Sequence, residues 1–166
     1  MAESLYISKN VVEDKIKEMK ITSRTYSYAK QLNGKGRFGR VEIEINSIPS
    51  ESKVVDNCQW KSLKESYSNY EGVEIWKNSA LEAAKSIIEV MELKNIEIKI
   101  NDIVGSNADT VPSHIGAALI IGVFDLLEIP LNKMEIGIID DFISNNNDFE
   151  FIPNYEELIT TIAKKA

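Results

Sequence analysis

At 166 residues, with 43% hydrophobic and 27% charged residues and a net charge of −7, the chain has the length and composition of one globular domain with a sizeable core. No apolar run approaches the roughly 20 residues of a membrane span, and the N-terminal MAESLYISKNVVEDK lacks the basic-then-apolar layout of a secretory signal. One cysteine (Cys58) and one histidine (His114) rule out an internal disulfide and zinc clusters, so a cytoplasmic protein is expected.

Apolar Val12, Ile16 and Met19 recur at helical spacing and predict a short helix over 10–20. Residues 21–32, ITSRTYSYAKQL, are rich in β-branched and aromatic types and predict a strand. Asn33-Gly34-Lys35-Gly36 is turn chemistry, because glycine tolerates the positive φ of tight hairpins. From Phe38 to Ile48, apolar residues interleave with Arg40, Glu42, Glu44 and Asn46. That is a strand with one wet face, its alternation slipping once between Phe38 and Val41. Residues 49–73 are polar and irregular around Trp60 and Tyr70, and read as a long connection or one holding a weak strand.

Residues 75–93 give the clearest helix, with Ala80, Ala84, Ile87, Ile88 and Met91 on one face and Asn78 or Ser79 as candidate caps. Alternating Ile96, Ile98 and Ile100 predict a strand over 95–104, and 105–111 a loop. Pro112 to Leu127 is a strongly apolar helix whose first turn suits proline. A strand over 132–140, a turn at Asn145–Asp148 and a terminal helix over 155–165 complete the chain. Strands followed by alternating helices and strands indicate an α+β fold in a single domain, with helices on one face of a sheet.

Charge is distributed unevenly. Residues 1–88 sum to +2, whereas residues 89–166, with 5 Lys/Arg and 14 Asp/Glu, sum to −9. Between residues 19 and 41 stand six cations (Lys20, Arg24, Lys30, Lys35, Arg37, Arg40) and no acid. Such a stripe is either a solvated strand surface or a contact for phosphate or an acidic partner.

The stripe ends in GKGRFGRV, residues 34–41, which matches the glycine-rich loop of protein kinases and contains the G-x-G-x-x-G of dinucleotide-binding turns. A kinase also needs a strand lysine, a catalytic-loop aspartate and an Asp-Phe-Gly. No HRD-like sequence occurs, and Asp140-Asp141-Phe142 lacks the glycine. The dinucleotide reading needs the glycines to lead from a strand into a helix, and here they join two strands. No nucleotide and no cofactor are therefore expected. Other catalytic groupings are thin. His114 reads as a capping or packed residue, Ser113 has no second histidine to serve it, Asp140-Asp141 read as a solvated strand end, and Trp60 and Trp76 as packing.

GKGRFGRVEIEI instead resembles G-R-G-Q-F-G-H-V, which opens domain IV of elongation factor G and of ribosomal-protection proteins. The resemblance continues in order over residues 20–140. The helix at 76–92 falls where that domain has its first long helix. INDIVGSNADTVPSHIGAAL resembles its later strand and loop, G-S-x-H-D-x-D-S-S, with Gly105, Ser106, Asp109 and Ser113 matching. LNKMEIGII stands where the family's last strand follows, and 141–166 is a C-terminal helical extension.

The resemblance implies a sheet backed by two helices with a left-handed βαβ crossover, and two loops at one tip that enters the decoding site of the small ribosomal subunit. Carried over, Lys35, Gly36, Arg37, Phe38, Gly39 and Arg40 form the first tip loop, and Ser106, Asn107, Asp109 and Thr110 belong to the second. Cations and exposed backbone N–H groups at a narrow tip suit phosphate contacts. Arg40 and Ala108 stand where the family has histidines, and no GTPase domain accompanies the tip. The expectation is a non-catalytic stand-alone module that binds ribosome or RNA through the 34–40 hairpin tip. The alternative is an acidic protein-binding module, immunity-type or regulatory, which occupies a basic partner through Asp125, Glu128, Asp140, Asp141, Asp148, Glu150, Glu156 and Glu157. Neither reading calls for a metal or a membrane.

Overall fold

The computed structural model describes residues 23–32, 34–61, 73–106 and 108–164; the helix expected over 10–20 lies outside them. Strands β1 (Ser23–Leu32) and β2 (Lys35–Ser47) form the expected hairpin, with Leu32 opposite Lys35 across a two-residue turn. Gly34 in that turn has φ +74°, a region costly to a residue carrying a Cβ.

The connection after β2 does contain a short strand, β3 (Lys53–Asp56), and β4 (Ile96–Val104) follows the first helix. The sheet order is β1-β2-β4-β3, antiparallel except for the β3–β4 pair. The register of β2 against β4 shifts between Glu42 and Ile43, which leaves Asn101 as the extra residue of a bulge.

Helix α1 (Glu74–Val90) connects β3 to the parallel β4, and α2 (Pro112–Leu126) follows β4. Both lie against the sheet, α2 over β1 and β2 and α1 over β3 and β4, and they also pack on each other. Ala80, Ala83 and Ala84 of α1 are fully buried, small enough to let the two helices approach closely. Nearly every α2 residue is buried, which explains its lack of a polar face. The expected caps of α1 were misplaced. The helix starts at Glu74, so Ser79 lies inside it, buried, and donates to the Pro112 carbonyl oxygen at 2.7 Å.

Residues 132–140 are not a strand. They begin helix α3 (Lys133–Asn145), which precedes α4 (Tyr155–Lys164). The Asn132 Oδ1 accepts from the Glu135 backbone N–H at 2.9 Å, and a Glu135 carboxylate oxygen accepts from Asn132 N–H at 2.7 Å. This capping box satisfies two donors that a helix start leaves orphaned. Ile139 and Ile143, four residues apart, then bury one face. Asn132→Ala should cost about 1 kcal/mol, read as a lower urea midpoint at constant slope; an unchanged midpoint would discount the box.

The alternation along β2 also resolves differently from the expectation. Val41, Ile43 and Ile45 are fully buried, and carrying that period backwards puts Gly39 and Arg37, not Phe38, on the inner face. Phe38 and Arg40 lie on the sheet's open face with Glu42, Glu44 and Asn46. Among the described residues, no helix is long and apolar enough to cross a membrane.

Candidate functional site at the hairpin tip

The two segments singled out by the sequence meet towards the turn end of the β1–β2 hairpin, although Lys35 to Arg40, expected as a loop, are paired residues of strand β2. Thr110 joins them. Its hydroxyl donates to the Phe38 carbonyl oxygen at 2.6 Å and accepts from the Ser106 backbone N–H at 2.7 Å. The Thr110 and Asp109 N–H groups both donate to the Ser106 carbonyl, closing the second loop into a tight turn. Two glycines allow the approach. A Cβ on Gly36 would sit 3.3 Å from the Asp109 carboxyl group, and one on Gly39 would lie 2.8 Å from the backbone carbonyl of His114. Between the loops is a cleft of about 410 Å³ lined by Gly34, Lys35, Gly36, Arg37, Ala108, Asp109, Val111, Asn147 and Phe149.

The site residues named from sequence divide into three groups. Lys35, Gly36 and Asp109 stand at the cleft, with Lys35 and Asp109 exposed. Phe38 and Arg40 face the open side of the sheet. There the Arg40 guanidinium lies 5.5 Å from the Phe38 ring centroid, and its Nε donates to Ser27 Oγ at 3.1 Å. Arg37, Gly39 and Thr110 are buried and hold the tip together. Arg37 borders the cleft but is 7% exposed and donates to Ser144 Oγ of α3 at 3.1 Å. Ser106 is half-buried, and Asn107 lies outside the described residues.

The basic stripe is thereby reduced. Lys30 pairs with Asp140 at 2.6 Å, and the Tyr28 hydroxyl donates to the same carboxylate at 2.8 Å. Asp140 therefore sits on a helix, committed to β1, rather than at a strand end. Burial and then this bond to Asp140 push the Tyr28 hydroxyl pKa upward. Lys35 and Arg40 are the tip cations that remain exposed.

His114 is structural. It is 1% exposed, lies 6.0 Å from the Tyr28 ring, and its Nδ1 accepts from the Val111 N–H at 3.2 Å, capping α2. That bond assigns the proton of the neutral ring to Nε2, which is buried without a partner. Burial, and next the Arg37 charge, lower its pKa from 6.5 to about 4. A histidine whose folded pKa is depressed destabilises the fold on acidification, because the unfolded chain takes up the proton first. Stability should thus fall as pH drops from 6.5 towards 4. Urea midpoints across that window should show a shallower fall in His114→Gln; equal slopes would remove His114 as the cause.

Ser113 is fully buried with no hydrogen-bond partner on its Oγ, so its hydroxyl is not presented to the surface. Burial raises the Cys58 thiol to about 11, far from a thiolate at neutral pH. Among the described residues no three His, Cys, Asp or Glu side chains are grouped to hold a metal ion.

Sequence reasoning missed Phe149. Its ring is 55% exposed beside the cleft. The available signal was an aromatic residue between two acids, Asp148 and Glu150, in an otherwise polar turn.

No protein-family model matches the chain, and no curated protein matches it. Among solved structures it is similar to a crystal structure of a protein from Thermus thermophilus, with a TM-score of 0.48 and 13% identity. The similarity covers 78% of this chain and 21% of that one, so the chain spans about a fifth of that protein's length.

Proposed function

We propose that the chain is a non-catalytic module resembling domain IV of elongation factor G, which contacts the ribosome or another structured RNA through its hairpin tip. The observation that supports this reading is the convergence of the two loops, locked by Thr110 on the Phe38 carbonyl, with Lys35 projecting beside the cleft. An exposed cation beside an exposed ring, Phe149, suits a phosphate next to an unstacked base. His114 and Ser113 are both buried beneath the tip.

Co-sedimentation with small ribosomal subunits at low salt tests it. The wild-type chain is expected to pellet with the subunits, and Lys35→Ala/Arg40→Ala to stay in the supernatant with an unchanged melting temperature. Arg37→Ala is a poor probe, because it also breaks the bond to Ser144. Failure of the wild type to pellet, or equal pelleting of the variant, would sink the reading.

A second reading, an acidic module for a basic protein, is favoured by one observation. Between Lys133 and Lys164 the sequence has seven acids and no Lys or Arg. Of these, Asp141, Asp148, Glu150, Glu156 and Glu157 are exposed.

A further inference from the structure

Among the described residues, the exposed large apolar side chains are Met134, Phe149 and Phe151, at 65%, 55% and 55% exposure, and all lie on α3 or the segment joining it to α4. Met134, Ile138 and Phe142 follow at four-residue spacing, so they share one face of α3. That face runs into a groove of about 410 Å³ between α3 and α4, whose lining includes Ile138, Phe142, Phe151 and Leu158. Glu157 lines the same groove, and exposed Asp141, Glu150 and Glu156 flank its residues in the chain. The apolar residues share the lining with Asn145, Asn146, Asn154 and Thr161, Glu157 is its charged member, and exposed Lys133 stands at the Met134 end. Apolar contact beside acids suits an amphipathic ligand of opposite charge.

We propose that this groove docks an amphipathic basic segment of a partner protein, with its apolar side on Phe151, Ile138 and Met134 and its Lys/Arg side on the acids. The proposal rests on the acidic-module reading and names its site. Charge selects the occupant. A second copy docked through the same face would bring acids against acids, and an RNA would bring phosphates to the same carboxylates. The groove shares no lining residue with the cleft at the tip, so substitutions can address each surface by itself.

The probe is a synthetic peptide of about 14 residues with leucine and lysine at helical spacing. A Leu/Glu peptide of the same pattern, a Lys/Ser peptide and a short single-stranded RNA serve as comparisons. Labelled-peptide anisotropy and amide NMR shifts of the full chain are the readouts. The Leu/Lys peptide should bind, with the largest shifts at the groove residues Ile138, Phe142, Asn146, Phe151 and Leu158 and none at Lys35, Gly36 or Asp109. Met134→Ser/Phe151→Ser should weaken it about tenfold or more with the melting temperature unchanged. Glu150→Gln/Glu157→Gln should remove much of the salt dependence, and Lys35→Ala/Arg40→Ala should change nothing. Binding elsewhere on the acidic surface would overturn the groove and leave the acidic reading standing; no binding of either lysine peptide would overturn both. Equal binding of the Leu/Glu peptide, an RNA seated in the groove, or a dimer through this face in sedimentation would each overturn the proposal.

Discussion

Gly116→Ala is expected to destabilise the fold by about 3 kcal/mol, although alanine is the better helix former. Gly116 lies in α2 directly beneath Tyr155 of α4, and a Cβ there would fall on the edge of the phenol ring and its hydroxyl. The ring cannot step aside cheaply. Tyr155 is 1% exposed, and its hydroxyl lies 2.6 Å from Ser79 Oγ, with which it shares a hydrogen bond, and 3.1 Å from the Pro112 carbonyl oxygen. Ser79 donates to the same carbonyl, so α1, α2 and α4 are tied at one buried point. Moving Tyr155 leaves polar groups unpaired in a dry interior, on top of the steric cost. Urea denaturation of the single and double variants measures both parts. Gly116→Ala combined with Tyr155→Leu should cost less than the sum of the two, because removing the ring removes the collision. Strict additivity, or a Gly116→Ala cost under about 1 kcal/mol, would contradict this packing.

Thr110→Val should cost about 2 kcal/mol and loosen the tip. Valine keeps the shape of threonine, so the change isolates the hydroxyl. Its loss strips the Phe38 carbonyl of a donor and the Ser106 N–H of an acceptor, at a site where Thr110 is 1% exposed. Amide hydrogen exchange should quicken in residues 36–39 and 106–110 while the helices stay protected. Thr110→Ser, which keeps the hydroxyl, should restore most of both. If tip exchange is unchanged in Thr110→Val, the two loops are not held by this bond. The variant also bears on function, since a residue with almost no exposed surface can reduce RNA binding only by positioning Lys35 and the loop beside it.

The hairpin, β4, α1, α2 and α4 were legible in the sequence because local period and burial agree. Ile96, Ile98 and Ile100 alternate and are all buried, and the unbroken apolar run of α2 is covered on every side. Helix α3 was misread because half of MEIGII is β-branched isoleucine, with the half-buried Ile138 beside the buried Ile139. Its decisive signal was Asn132 three residues before Glu135, a helix-start pattern that outranks β-propensity. The alternation of β2 had a break between Phe38 and Val41, and Phe38 lies on the open face. The inner slot instead went to Arg37, whose guanidinium finds Ser144 on α3, a partner about a hundred residues away that no local pattern announces. The meeting of the two tip segments was an implication of the family resemblance and not of any local pattern, and Phe149 reaches the cleft only because α3 is a helix that returns the chain there.

The most direct measurement of the central claim, that the joined loops form an RNA-contacting tip, is the salt dependence of binding to a labelled RNA hairpin. Affinity is expected to fall as salt rises, and the log–log slope to become shallower by about 1 to 2 in Lys35→Ala/Arg40→Ala, roughly one released counterion per cation removed. Salt-independent binding, or a slope the variant leaves unchanged, would contradict it.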